Sequence, residues 1–247
     1  MNLVSGSKII IMIKAKIKTM LLTLSGDFRH LRYKKFSFKK QWYGNGYGGF
    51  YVVPQYLNEH SIIYSFGIGE DISFDKELIL RHNCLVYGFD PTPKSIKWIR
   101  DQQQSLSNNF VFCEYGIGIK SGKENFFLPK NTSHVSGSFI NQINVNEMET
   151  IEVYLKSFKD ITSEFGHQTI DILKMDIEGA EYLVLDDILN SDIQINQILI
   201  EFHDRFFADG RDRTIAAINK LNVSGFELYG VSDTYEEISF INRKILP

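Results

Sequence analysis

An α/β fold built on a doubly wound, mostly parallel sheet is the architecture this 247-residue sequence predicts. Three observations carry that expectation. From residue 61 onward, short apolar runs end in turn residues and give way to helical periodicity, again and again. Strands that alternate with helices form a parallel sheet with helices on both faces. The content, 43% hydrophobic and 23% charged, is that of an ordinary globular protein, which excludes disorder, collagen and coiled coil as the main architecture. Two cysteines and no C-x-x-C pair exclude a disulfide framework and the usual zinc motifs.

The elements follow in order. Residues 62–66 are a buried-type strand that stops at Gly67-Ile68-Gly69-Glu70-Asp71, and Asp71 or Ser73 caps a helix carrying Phe74, Leu78 and Ile79 inward. Residues 85–89 make a second strand, ended by Asp90-Pro91-Thr92-Pro93. There Thr92 before Pro93 matches a helix cap with proline in the first turn. Residues 110–113 are a third strand, and a hairpin is expected between Gly116 and Leu128. Residues 151–155 alternate like a half-exposed strand. Residues 170–175 lead to Asp176-Ile177-Glu178-Gly179-Ala180-Glu181 and a helix through Leu185, and residues 197–203 form another buried strand. A helix around residues 214–221 stops at Gly225, before a closing antiparallel pair at 226–229 and 238–241. Cys84 and Cys113 fall in or beside strands and read as core thiols.

This domain takes in residues 43–247, and residues 1–42 read as a basic amphipathic arm. Residues 1–40 hold ten Lys or Arg against one acid, a net +9 within a chain of net −3, which leaves −12 on the remainder. Ile9, Ile13, Ile17, Leu21 and Leu24 share one helical face, while lysines interrupt any run long enough to span a membrane. The arm either packs on the domain or touches a membrane surface through residues 8–24. A cytoplasmic protein is expected, lying against the inner face of a membrane if the arm binds lipid. Between arm and sheet, the glycine and aromatic cluster at 42–51 is either a cover over a ligand or a turn into the next strand.

In an open parallel sheet, ligands bind outside the carboxyl ends of the strands. The candidates are therefore Gly67 and Gly69, Asp90, Glu114 and Tyr115, Asp176 and Glu178, and Glu201 and His203. A glycine turn with an acid twenty-three residues beyond Gly67, at Asp90, suits a nucleoside-bearing cofactor whose ribose Asp90 would hold. A dinucleotide would want a third glycine where Ile72 stands, and Glu70-Asp71 would repel its pyrophosphate. No phosphate-binding G-x-x-x-x-G-K-[ST] loop is present. The cationic, phosphate-free S-adenosyl-L-methionine fits these charges.

These residues together resemble the FkbM-type family of S-adenosylmethionine-dependent methyltransferases. The resemblance runs from about Tyr43 to Phe240. It is most specific in residues 170–181, with support from residues 64–71, Phe89-Asp90-Pro91-Thr92-Pro93, Gly122 before Phe126, and Ile200-Glu201-Phe202-His203. It implies the Rossmann-like class I methyltransferase fold, seven strands with the last antiparallel. It further implies O-methylation of a glycan or small hydroxylated metabolite, cofactor contacts at Gly67, Gly69 and Asp90, and Asp176 near the transferred methyl. Many members have an acid two residues before the first glycine, where this chain has Ser65; Glu70 or Asp71 is expected to substitute.

Methyl transfer from a sulfonium is an in-line displacement, so the acceptor oxygen must be aligned and relieved of its proton. His203 is the expected general base, since imidazole titrates near neutrality, with Asp176 accepting the proton directly or orienting the ring. Cofactor contacts are expected from Gly67, Gly69, Glu70, Asp71, Asp90, Glu114, Tyr115 and Asp176, and acceptor contacts from Glu178 and His134. A divalent metal on Asp176, Glu201 and His203 is the less favoured alternative, as is a purely structural role for His203. A ribose or protein methyltransferase, or a cofactor-binding module without catalysis, remains open. The acidic body disfavours nucleic acid as the partner, and the sequence leaves the oligomeric state open.

Overall fold

The computed structural model describes residues 31, 36, 38–46, 48–129 and 145–247. The amphipathic segment at 8–24 and His134 lie outside the described residues. A short antiparallel hairpin, β1 (Gln41–Tyr43) and β2 (Phe50–Val52), comes first. The central sheet then collects β3 (Ile62–Phe66), β4 (Leu85–Phe89), β5 (Phe110–Cys113), β9 (Thr169–Met175), β10 (Gln194–Glu201), β11 (Phe226–Val231) and β12 (Glu237–Asn242). Their order across the sheet is β11-β12-β10-β9-β3-β4-β5. β12 runs antiparallel to both β10 and β11, so the last strand is inserted one place in from the edge. A separate three-stranded sheet, β6 (Gly116–Ile117), β8 (Val145–Lys156) and β7 (Gly122–Pro129), continues from β5. The hairpin expected between Gly116 and Leu128 is thus a larger β7–β8 pair, because Gly122 meets Leu155 rather than a nearby residue.

Helices α1 (Ser73–His82), α2 (Pro93–Asp101), α3 (Phe158–Phe165), α4 (Glu181–Leu189) and α5 (Gly210–Val223) flank the sheet. Buried strands alternate their side chains between two cores, as period-2 geometry requires. Ile63, Val86, Ile172, Leu199 and Ile241 pack with the β1–β2 hairpin and with Phe74, Leu78 and Ile99 of α1 and α2. Tyr64, Phe89, Leu173, Ile198, Ile200 and Phe240 pack with Phe158, Ile161, Val184, Leu185, Ile218 and Leu221 of α3, α4 and α5. Cys84 and Cys113 are buried free thiols. Among the described residues no helix is long and apolar enough to cross a membrane.

The helix starts differ from expectation in detail. Ile72 occupies the cap position of α1 and cannot cap by side chain, while Asp71 Oδ1 accepts from the Ser73 backbone N–H at 2.9 Å. Thr92 does precede Pro93 at the start of α2, but its hydroxyl turns to Asp90 and Ser95 instead of the helix amides. The glycine and aromatic cluster builds the β1–β2 hairpin. Its turn docks on the start of α1, with Asn45 Nδ2 donating to Asp71 at 2.5 Å and Gly44 N to Glu77 at 2.6 Å.

The chain leaves β3 toward β4 on one side and reaches β9 and β10 on the other, so the strand order reverses between β3 and β9. The crevice expected of this topology opens at their carboxyl ends, where Gly67 and Asp176 stand.

Candidate functional site

Two turns meet at the reversal point. Gly67 has a φ of +80°, and a Cβ built there would lie 1.7 Å from the Asp176 carbonyl oxygen. Only glycine permits both the left-handed backbone and that approach. Gly67 N donates to Phe89 O and Asp176 N to Phe66 O, each at 3.0 Å. Lys174, on the last turn of the pleat in β9, donates to Gly67 O at 2.7 Å. The ends of β3, β4 and β9 are thereby locked as one platform.

Asp90 completes it from below. Its Oδ2 accepts from Ile68 N and Gly69 N at 3.1 and 2.9 Å, and its Oδ1 from Thr92 N and Oγ1 at 2.9 and 2.6 Å. Burial pushes its pKa up, against the lowering effect of the Thr92 and Gly69 bonds. Four donors fill the roughly four acceptor sites a carboxylate has. Asp90 thus holds the glycine turn, and a ribose would have to compete with bonds already made. Gly69 also has positive φ, +57°, yet a Cβ there meets nothing within 4 Å; that side of the turn faces open space.

The remaining cofactor candidates scatter around this platform. Glu70 pairs with Lys94 at 3.1 Å, and Asp71 is taken by Asn45 and Ser73. Glu114 makes a two-oxygen contact with Arg100 at 2.7 Å, and the Tyr115 hydroxyl donates to Glu164 at 2.7 Å. Neither Glu70 nor Asp71 reaches under the turn toward Ser65. The acid found there is Asp75, 2% exposed on α1, and its environment includes Ser65 and Lys174. Asp75 Oδ1 and Ser65 Oγ are both buried without a hydrogen-bond partner. Burial raises the pKa of Asp75, opposed by Lys174. An acid three residues before Leu78, on the apolar face of α1, was the signal in the sequence for this residue.

At the ends of β9 and β10 the chemistry concentrates. His203 is 1% exposed and follows β10; its ring is ringed by acids. Nδ1 and the backbone N of His203 both meet Glu181 Oε1, at 3.1 and 2.9 Å, while Glu181 Oε2 accepts from Gly179 N at 2.9 Å. Nε2 faces Glu178 at 3.3 Å, Glu201 at 3.4 Å and Asp176 at 3.7 Å. Glu178 reaches this position from a left-handed backbone, φ +55°, a conformation costing a non-glycine residue about 1 kcal/mol. Glu181 carries no local signal of this role: in the first turn of α4 an acid is favourable for its helix-end charge alone.

The electrostatics bear on the base. Burial alone would lower the His203 pKa, but Glu181, Glu178 and Glu201 push it up to about 10. Burial and Asp176 push Glu201 up to about 8. With no cation in the cluster, an imidazole in these surroundings holds its proton and donates to the carboxylates, and proton acceptance falls to the acids around it; a bound ion would displace the proton on Nε2. The atoms of Asp176, Glu178 and His203 lie within 4.8 Å of one another, close enough to share one metal ion. The tight set therefore contains Glu178, whereas the less favoured alternative read from the sequence had Glu201.

Residues 63–231 match the family model described as the Methyltransferase FkbM domain. Over 203 residues the chain is 25% identical to the human protein named probable methyltransferase-like protein 24 and 24% identical to its rat counterpart. These alignments cover 77% of this chain and 47% of each relative, so the chain spans about half the length of the curated relatives it matches. Among solved structures, the methyltransferase FkbM of Methylobacillus flagellatus KT is similar with a TM-score of 0.46 and 11% identity. That match covers 75% of this chain and 44% of that one.

Proposed function

Since the chain belongs to the FkbM methyltransferase-domain family, we propose that it is an S-adenosyl-L-methionine-dependent O-methyltransferase whose acceptor is a hydroxyl of a glycan or small hydroxylated metabolite. The observation that carries this reading is the buried His203 and its ring of four carboxylates, set directly against the glycine turn by the Gly67–Asp176 contact. A charged cluster beside an open turn suits a cationic cofactor and a polar acceptor, and it would repel phosphorylated nucleotides.

The residues present fit such a cofactor. Gly69 leaves the turn open on one side, and Asp176 and Glu178 edge the crevice with carboxylates. When bound, the cofactor supplies an electrophilic methyl group on a sulfonium. Asp90 positions the turn through Ile68 N and Gly69 N. Asp176, a quarter exposed, stands at the lip of the cluster and takes the acceptor hydroxyl as a hydrogen-bond donor, receiving its proton as the oxygen attacks in line. His203 holds the carboxylates in place from beneath and fixes Asp176 relative to the turn. Glu178 binds a neighbouring acceptor hydroxyl.

The experiment is methyl transfer from radiolabelled S-adenosyl-L-methionine to a panel of glycans, hydroxylated metabolites, RNA and protein, with Asp176→Asn as the comparison. Label should appear on a sugar or metabolite oxygen and drop by about 100-fold or more in the variant. Label on RNA or protein alone would replace the acceptor class, and cofactor binding without transfer to any acceptor would overturn the catalytic reading.

A further inference from the structure

We propose that Asp176, Glu178 and His203 bind one divalent cation of the Mg2+/Mn2+ class, which takes the acceptor oxygen at a remaining position. The inference rests on the reading of this crevice as the acceptor site; with the ion bound, Asp176 and Glu178 act as its ligands and hold the acceptor oxygen through it instead of directly. Three features argue for it. The first is spacing. At a metal–ligand bond of about 2.1 Å, neighbouring ligands sit about 3.0 Å apart and opposite ones about 4.2 Å. The Nε2–Glu178 and Nε2–Asp176 separations are 3.3 and 3.7 Å, and all three ligand atoms lie within 4.8 Å of one another. The donors need to move by tenths of an ångström only.

The second feature is the support behind the ring. Histidines that bind metals almost always give their other ring N–H to a carboxylate or carbonyl, which sets the tautomer and aims the free nitrogen. Glu181 does this to Nδ1, and the same oxygen holds the His203 backbone. Glu181 is fully enclosed, so it positions the ring without offering an atom to the crevice. Nε2, on a side chain 1% exposed, is thereby aimed at Asp176 and Glu178, whose side chains are 26% and 20% exposed and face the opening.

The third is charge. Asp176, Glu178, Glu181 and Glu201 surround a single imidazole. Two cationic side chains among the described residues, Lys174 and Arg205, lie closer to other partners than to Asp176 and Glu201. Lys174 is 3.8 Å from Asp176 but 2.7 Å from Gly67 O, and Arg205 is 3.6 Å from Glu201 but 2.7 Å from Glu236. A mixed set of carboxylates and one imidazole suits Mn2+ or Mg2+ over softer ions.

The test is Mn2+ binding to the full chain after chelator treatment and dialysis, read by electron paramagnetic resonance and calorimetry. One Mn2+ per chain is expected, competed by Mg2+. Affinity should fall at least tenfold in Glu178→Gln, and by a similar factor in Glu181→Gln through the ring's loss of support. Asp186→Asn, whose partner is Lys220 on α5, should bind like the parent; circular dichroism on each variant guards against misfolding. No stoichiometric Mn2+ binding, or unchanged affinity in folded Glu178→Gln, overturns the proposal. Calorimetry with S-adenosyl-L-methionine on the same samples separates the two readings. Cofactor binding without Mn2+ binding sinks the metal and leaves the methyltransferase reading, and Mn2+ binding without cofactor binding does the reverse.

Discussion

Exchanging either glycine of the first turn for alanine should separate what the turn does for the fold from what it does for a ligand. In Gly67→Ala the new Cβ would lie 1.7 Å from Asp176 O, where ordinary contact begins at about 3.4 Å, so the ends of β3 and β9 must part by about 1.7 Å (3.4 minus 1.7). Three hydrogen bonds depend on their staying together: Gly67 N to Phe89 O, Asp176 N to Phe66 O and Lys174 Nζ to Gly67 O. Each contributes about 0.5–1.5 kcal/mol, and the left-handed backbone adds about 1–2 kcal/mol for a residue with a Cβ. The sum, roughly 3–6 kcal/mol, is a large part of a typical domain's stability and lowers Tm by about 6–24 °C for a chain of this size. In Gly69→Ala only the backbone term applies, because its Cβ enters open space. That variant should melt about 2–8 °C below the parent, while a methyl group on the open side of the turn weakens S-adenosyl-L-methionine binding about tenfold. Differential scanning calorimetry with and without cofactor, and titration calorimetry on Gly69→Ala, measure both effects. Equal melting of the parent and Gly67→Ala would refute the packing argument. Full cofactor affinity in Gly69→Ala would refute the placing of the ligand.

Other substitutions test neighbouring parts of the platform. Asp90→Asn puts an amide donor where two backbone N–H groups or the Thr92 pair now find an acceptor, and should cost about 2–4 kcal/mol in urea unfolding. Glu181→Gln leaves His203 with an imperfect buried partner; a loss of about 3 kcal/mol is expected by the same measurement. Asp75 has a raised folded pKa, so its unfolded form gives up its proton first, near pH 4. Its contribution to stability therefore declines as pH rises from there through the folded value. Asp75→Asn should flatten that decline in unfolding free energies taken between pH 4 and 7, and an unchanged slope would assign the pH dependence to other groups.

Most of the alternation of strands and helices from residue 61 onward and the two-sided burial of the central strands were legible in sequence, because hydrophobic period and turn chemistry are local properties; the helix Phe158–Phe165 and the β1–β2 hairpin were not read there. Ile63 and Tyr64, adjacent in sequence, serve opposite cores simply because side chains alternate along a strand. The glycine turn, Asp90, Asp176 and His203 were identifiable by the same logic, as residues that come just after strands. What each carboxylate faces was not legible. Asp90 is filled by four donors, Glu181 supports a ring twenty-two residues away, and Asp75 rather than Glu70 or Asp71 lies beside Ser65. Those assignments depend on which strand ends are brought side by side. A local pattern sets how a strand or helix presents its faces, but only the packed sheet brings Gly67 against Asp176 and gathers four acids around one imidazole.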